Sequence, residues 1–381
     1  MTGWRWRGSV ALLAVAVAFV IYPVIEGEND VINSDWPAFA TGARIMVTDP
    51  GHLYDIELQR RVQLEVTGGR TLITLGIQGI LPFLAPAWVA FIAVPFDLLG
   101  TNLGGRLWIL FELVCLAFGL FLVVRPRPPP AILPAFASVP TALLLLNAQL
   151  DGLIALGVGA AIALRSRPYL AGFALGLTLV KPHLVLPVAL ALLVTRAWRV
   201  ILGWTAAGLV LLASTMALNP HWVLDWLKSA GTTVQTGSRE VDLAHFGILF
   251  PTGTQVFVEA GLALVAMAGV VALAWRRRSD PRSAAAIVVA GGILAAPHAL
   301  PTDMVLVALA LAIWGQARWY DWLVLSVGTA IAAFTPVPVP TVAGVLTIGW
   351  VLLRAAGVVR AGGSARRGAD SAAGAKEATS T

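Results

Sequence analysis

The chain has little charge and almost no cysteine. Of its 381 residues, 12% are Asp, Glu, Lys or Arg and only one is a cysteine. Soluble domains carry about 25% charged residues, so this composition excludes an ordinary soluble protein. The single thiol, Cys115, excludes an internal disulfide. What the chain does have is apolar sequence, 58% of residues with a mean hydropathy of +0.82, which predicts a polytopic membrane protein.

Several functional motifs are also missing from the sequence. No Gly-rich phosphate loop, nucleophile elbow or dinucleotide fingerprint is present, and the histidines form no short ligand pair. The net charge is +6, but no basic helix with interleaved aromatic residues accompanies it. We therefore expect no metal site, no cofactor and no nucleic-acid partner.

Arginine clusters recur between the apolar runs and predict the topology. Because basic residues are enriched in cytoplasmic loops, we place these clusters and both termini inside. The clusters are Arg125 and Arg127, Arg165 and Arg167, Arg196 and Arg199, Arg276 to Arg278 with Arg282, and Arg318. This arrangement predicts an all-α fold of about twelve transmembrane helices, the first over 9–25.

One apolar segment does not fit that alternation. Residues 79–99 contain Pro82, Pro86 and Pro95, and a full crossing there would place Arg125 outside. We predict a re-entrant or interfacial element instead. The membrane domain then covers 1–360, and the Gly-, Ser- and Ala-rich segment 361–381 is expected to be a disordered cytoplasmic tail.

Three polar breaks lie between the arginine clusters and are expected at the outer face. They are 147–151, 181–183 and 297–303, and they share that face with a polar loop, 26–78, in which we predict two amphipathic surface helices. A lysine at a helix break inside apolar sequence, Lys181, indicates a functional site. The alternative is that it caps a helix and extends to lipid headgroups.

These polar groups suit transfer from a lipid-linked, phosphate-activated donor. A carboxylate deprotonates an acceptor hydroxyl, and cations stabilise the departing phosphate. Two alternatives stay open at this point. A transporter or flippase of lipid-linked sugars would place charges along a path through the bilayer, and a structural partner in a cell-envelope complex would need no chemistry.

Five stretches, in this order, resemble the polyprenyl-phosphate-sugar-dependent glycosyltransferases of family 87, which have a GT-C-like membrane fold. They are 35–43 (DWPAFATGA), 49–55 (DPGHLYD), 147–153 (NAQLDGL), 167–199 around a central lysine, and 297–303 (PHALPTD). The third stretch departs from the family pattern, because Ala148 replaces a glycine and Asp151 stands where asparagine is commoner.

The resemblance implies an inverting transfer of a sugar, with mannose as the first candidate, from a polyprenyl phosphate to a lipid or glycan acceptor. It implies a multi-pass protein of the bacterial inner membrane with its active site facing the periplasm or exterior, and no metal. Asp35 would be the general base, with His298 opposite. The donor phosphate would be held by Lys181, with Gln149 and Asn147 lining the same opening.

Simpler roles compete for several of these side chains. Asp35 could only cap a helix, His298 could bridge a helix end, and Gln149 and Asn147 could satisfy the backbone at a bend. Arg44 could pair with a lipid phosphate or with an acid. Further candidates for acceptor or phosphate contacts are His183, Tyr54 (for which packing is the favoured role), Arg239, His245 and Asp303.

Overall fold

A computed structural model describes residues 31–70, 72–74, 77–127, 129–233, 243, 250–251, 253–296, 298–336 and 338–359. Four of the predictions fall outside these residues. They are the first span over 9–25, the tail 361–381, and the candidate contacts Arg239 and His245.

The first described helices form the loop that was predicted to lie outside the membrane. Helix α1 is Trp36–Thr48, a 3₁₀ turn spans Pro50–His52, and helix α2 is Ile56–Val66. The Asp55 carboxylate caps the start of α2, where it accepts hydrogen bonds from the N–H groups of Glu57 and Leu58 at 2.9 and 3.0 Å.

Helix α1 is not an amphipathic surface helix. Apart from Arg44 and its last two residues it is buried, because it packs on α3 (Ala87–Asp97) and α4 (Thr101–Val124). A helix that is apolar on all sides belongs inside a protein, so this part of the sequence-based prediction was wrong. Helix α2 does keep one exposed face, as predicted.

The segment after α2 contains the only strands in the described residues. β1 (Leu72–Thr74) pairs antiparallel with β2 (Ile77–Gly79), and Ile73 lies opposite Gln78. The chain then runs extended along α2, where the Gln59 amide exchanges hydrogen bonds with Phe83 at 2.8 and 3.2 Å. The fold is therefore helical with one short hairpin.

Helix α3 follows the hairpin and is too short to cross a bilayer. Its 11 residues extend about 16 Å, against a hydrocarbon core of about 30 Å. Several other apolar helices are equally short, so the re-entrant or interfacial element over 79–99 stays a prediction.

Three helices of the described chain are long and apolar enough to cross a membrane. They are α4, α10 (Trp198–Met216) and Phe257–Arg276 within α12 (Gln255–Arg276). Eight further apolar helical segments of the described chain have 10–17 residues, and three of these segments include a 3₁₀ turn. The protein is thus a helical membrane protein with three full-length candidate spans, and the count of twelve stays a prediction.

The remaining helices are short and often begin at a proline, whose fixed φ and missing N–H suit a first turn. They are α5 (Leu133–Phe136), α6 (Val139–Leu146), α7 (Asp151–Ala163), α8 (Pro168–Leu175), α9 (Leu186–Val194), α11 (Trp222–Thr233), α13 (Pro281–Ala295), α14 (Val305–Trp314), α15 (Trp319–Phe334) and α16 (Val339–Ala355). 3₁₀ turns cover Pro129–Ile132, Gly176–Val180, Pro182–Val185 and Pro301–Met304.

Small residues let pairs of these helices approach closely. Between α8 and α10, a Cβ at Gly203 would meet the carbonyl of Tyr169 and lie 3.0 Å from the nitrogen of Phe173. Gly172 faces the backbone of Val200 in the same way. Helix pairs in membranes rely on such close packing, because lipid tails remove most of the hydrophobic driving force between helices.

We expect Gly203→Val to destabilise the protein by about 1–3 kcal/mol, because the new side chain forces α8 and α10 apart. Gly261→Val in α12 is the matched control, since nothing lies within 4 Å of a Cβ there. The measurement is the thermal unfolding midpoint of the purified protein. Equal midpoints for the two variants would contradict the close packing of α8 and α10.

Candidate functional site

The three predicted polar breaks meet at one ion cluster. The ammonium of Lys181 lies 2.9 Å from Asp151 Oδ2 and 2.5 Å from Asp303 Oδ1. Lys181 separates two 3₁₀ turns, Asp151 is the first residue of α7, and Asp303 lies in the turn before α14. Their side chains are nearly inaccessible, with 12% of Lys181 exposed and 3% or less of each acid. We call these three residues the Lys181 cluster.

The two acids of the cluster are held differently. The second oxygen of Asp303 accepts the N–H of Leu300 at 2.7 Å, whereas Oδ1 of Asp151 has no hydrogen-bond partner in the described structure. Beneath Asp151, the buried Glu112 accepts the N–H of Leu153 at 3.2 Å and has one unpartnered oxygen. Buried carboxyls therefore outnumber the ammonium.

Asp35 joins this region from the first loop. Its side chain makes no capping hydrogen bond to α1, since the hydroxyl of Ser34 accepts the Trp36 N–H at 3.2 Å instead. The Asp35 carboxylate accepts a hydrogen bond from the side-chain amide of Gln149, and its backbone N–H donates to the Asn147 carbonyl at 3.1 Å. The helix-cap alternative for Asp35 is therefore wrong, and Gln149 does more than satisfy the backbone at a bend.

The surroundings of Asp35 favour its protonated form. Burial raises the pKa of Asp35 to about 7, against the opposing influence of the positive charges at Lys181 and His298, and Asp303 adds to the rise. Because a charge acts on a pKa only at short range, Lys181, Asp303 and His298 lie near the Asp35 carboxyl. The ring of His298 is 6.5 Å from that of His183, centroid to centroid, so both histidines border the same region.

Three predicted site residues have structural contacts elsewhere. The guanidinium of Arg44 forms a two-point salt bridge with Asp97, at 3.0 and 3.3 Å, which supports pairing with an acid over phosphate binding. The buried Tyr54 donates its hydroxyl to the Ala85 carbonyl at 2.8 Å, in keeping with the packing role favoured for it. The side chain of Asn147 donates to Leu143 O at 2.9 Å, in agreement with the alternative that it satisfies the backbone at a bend.

Comparison with known proteins identifies the family of this chain. The family model of glycosyltransferase family 87 matches residues 83–301, more than half of the chain. The chain belongs to glycosyltransferase family 87. Membership implies glycosyltransferase activity, with a sugar donor and an acceptor. A search of the curated proteins and a search of the solved structures each found no match.

The family 87 match covers part of the site. Gln149, Asp151, Lys181 and His298 lie inside the matched residues, whereas Asp35 precedes them and Asp303 follows them. Hydrogen bonds and ion pairs join the three regions in space. The family assignment and the contacts of Asp35 are therefore independent observations.

Two features of this family 87 site were missed from the sequence. In the sequence, Asp151 stands out only as a departure from the family pattern, yet it pairs with Lys181. The available signal was an acidic residue at the start of an apolar helix, at the same predicted face as the lysine. Ala148, noted only for replacing a glycine, is buried with a φ of 52°, a left-handed conformation that favours glycine. Its carbonyl accepts a hydrogen bond from the indole N–H of Trp108 at 2.9 Å.

We expect the two acids of the Lys181 cluster to differ in their contribution to stability. Asp303→Asn should lower the free energy of unfolding by about 3 kcal/mol, because the Asp303 carboxylate accepts hydrogen bonds from both the Lys181 ammonium and the Leu300 N–H. Asp151→Asn should stay within about 1 kcal/mol of wild type, since it leaves an oxygen for Lys181 and removes a buried charge with an unpartnered atom. Thermal unfolding in detergent measures both, and an equal loss in the two variants would contradict the assignment.

Proposed function

We propose that this family 87 chain is an inverting glycosyltransferase using a polyprenyl-phosphate sugar, with mannose as the first candidate sugar. The acceptor is a hydroxyl of a lipid or glycan at the outer face of a bacterial inner membrane. One observation carries the proposal: the Asp35 carboxylate is free of helix capping and is held by Gln149 near Lys181, Asp303 and His298.

Asp35 is the general base of the proposed reaction. Its carboxylate takes the proton of the acceptor hydroxyl, the acceptor oxygen forms a bond to the anomeric carbon, and the bond from that carbon to the phosphate oxygen breaks. Polyprenyl phosphate departs with the electron pair, and the anomeric configuration inverts. A carboxyl with a pKa of about 7 is a stronger base than an ordinary aspartate, and about half of it is ionised at neutral pH.

Lys181 binds the phosphate while held by its two acids. An ammonium has three N–H donors, and Asp151 and Asp303 accept two of them. The third is directed to a phosphate oxygen in the proposed complex, where His298 and His183 border the same region. The acids fix the position of the ammonium and offset its charge, so Lys181 supplies a positioned N–H donor to the phosphate and not an unpaired buried cation.

The membrane geometry is proposed together with the chemistry. Helix α7 begins at Asp151 in the Lys181 cluster and ends at Ala163, close before Arg165 and Arg167. The polar cluster and the arginine clusters therefore lie at opposite ends of the helices, which supports an outer active site and an inner arginine face. We propose a GT-C-like domain of about twelve spans over 1–360, followed by a cytoplasmic tail.

Asp35→Asn should reduce sugar transfer about 10²–10⁴-fold, because the amide cannot accept the acceptor proton. The assay uses purified protein in lipid nanodiscs with radiolabelled polyprenyl-phosphate mannose, and a lipid extract from a strain lacking the chain supplies acceptor. Asp49→Asn is the matched control in the same loop, since Asp49 is exposed and pairs only with His52 in the described contacts. Unchanged transfer by folded Asp35→Asn would overturn the proposal.

The rate of transfer should follow the ionisation of Asp35. The base must be charged, so kcat/KM should fall about tenfold per pH unit below a pKa of about 7 and level off above it. Gln149→Leu removes a hydrogen-bond donor that favours the charged carboxylate, so the pH below which kcat/KM falls should rise by about one unit. A profile that is the same in wild type and Gln149→Leu would show that Gln149 does not position the base.

A further inference from the structure

A cavity lies at the other end of the helices from the Lys181 cluster. It has a volume of about 460 Å³, within the range of about 300–1,000 Å³ that is usual for ligand sites. Helices α7 to α10, α12 and α13 contribute to its wall, which is almost wholly aliphatic; examples are Val158, Ile162, Leu175, Val188, Leu192 and Val288. We call it the arginine-rimmed cavity.

Three arginines line this cavity, and each lies at or just beyond the end of a helix. They are Arg165, Arg278 and Arg282. Arg278 lies over the ring of Trp275, 4.6 Å from its centroid, and Arg282 donates to the Arg125 carbonyl at 2.9 Å. None of the three forms a salt bridge with a carboxylate in the described part of the chain.

The one acid close to this rim in sequence has another function. The Asp280 carboxylate caps α13, accepting the backbone N–H of Ser283 at 3.3 Å and its hydroxyl at 2.6 Å. Even with the charge of Asp280, the rim is net positive in the part of the chain that the structure describes, because its three arginines form no salt bridge with a carboxylate there. A positive rim above an aliphatic interior matches a molecule with an anionic head and an apolar chain.

The cavity is separate from the proposed active site. Along α7, Ile162 lies 11 residues beyond Asp151, which corresponds to about 16 Å of helix. Phosphate held at the arginines could not reach Lys181 or Asp35. The cavity and the active site therefore bind different molecules, or different copies of one molecule.

We propose that the arginine-rimmed cavity binds an anionic phospholipid of the cytoplasmic leaflet. One acyl chain enters between α7, α9 and α13, and the lipid phosphate contacts Arg165, Arg278 and Arg282. Basic pockets between membrane helices on the cytoplasmic side select anionic headgroups, and arginine hydrogen-bonds phosphate in two-point geometry. The inference needs only that this arginine face is cytoplasmic, and it holds whichever sugar the active site transfers.

Native mass spectrometry of the full chain tests the proposal. The protein is titrated in detergent with phosphatidylglycerol and phosphatidylcholine of the same acyl chains. Wild type should retain phosphatidylglycerol selectively. Arg165→Gln, Arg278→Gln and Arg282→Gln should each weaken that binding about fivefold.

Two further variants separate a built site from general surface charge. The triple variant Arg167→Gln, Arg199→Gln and Arg318→Gln removes three exposed arginines outside the cavity lining, and should bind phosphatidylglycerol as wild type does. Ala285→Phe keeps every arginine but fills the cavity, and should abolish selective binding. Unfolding midpoints establish that each variant is folded, and Ala161→Phe replaces Ala285→Phe if that variant is not.

Three results would overturn the proposal. They are equal retention of the two lipids by wild type, equal loss in the rim variants and the triple control, and displacement of phosphatidylglycerol from the wild-type cavity by equimolar polyprenyl phosphate. The last result would make the donor lipid the occupant. Because lipid retention is measured without sugar transfer, failure here would leave the glycosyltransferase proposal untouched.

Discussion

The buried ion pairs of Lys181 are the interaction on which the rest of the site depends. An ammonium placed among apolar helices is costly unless paired, and here two carboxylates from distant parts of the chain are its partners. Satisfying that one charge brings the start of α7, the break before α9 and the turn before α14 to the same place. The three polar breaks are thus parts of a single structure rather than three separate helix ends.

The first loop adds the Asp35 carboxylate, the proposed general base, to this arrangement. Ser34 caps α1, which leaves the Asp35 carboxylate to accept from Gln149 next to the Lys181 cluster. On the other side of the loop, Gln59 binds the extended chain at Phe83 through both ends of its amide. Polar side chains therefore hold an otherwise irregular segment in position, as a preorganised general base requires.

Local chemistry made part of this arrangement predictable from the sequence. A lysine, a proline and a histidine between apolar runs indicated a site at Lys181, and the arginine clusters assigned the three polar breaks to one face. The sequence at 34–37 is typical of a helix start, but Ser34 and Asp35 both suit the N-cap position, so the sequence alone does not decide between them. Only the structure shows that serine takes this role and releases the aspartate.

What could not be predicted depends on contacts between residues distant in sequence. Arg44 pairs with Asp97, 53 positions later, and nothing in the local pattern distinguishes that acid from a lipid phosphate. The local sequence predicts a surface helix at α1, because the residues that bury it belong to α3 and α4, which lie far from it in the chain. Asp151 was undervalued for the same reason, since its importance comes from Lys181, 30 residues away.

A double-mutant cycle between Lys181 and Asp303 measures whether these two buried charges depend on each other. The free energy of unfolding is measured for wild type, Lys181→Met, Asp303→Asn and the double variant, with Lys181→Met and Asp49→Asn as a distant control pair. The double variant should lose less free energy of unfolding than the sum of the two single losses, by about 1–3 kcal/mol, while the control pair should be additive. Losses at Lys181 and Asp303 that add within about 0.5 kcal/mol would contradict this expectation, because the two charges would then not depend on each other.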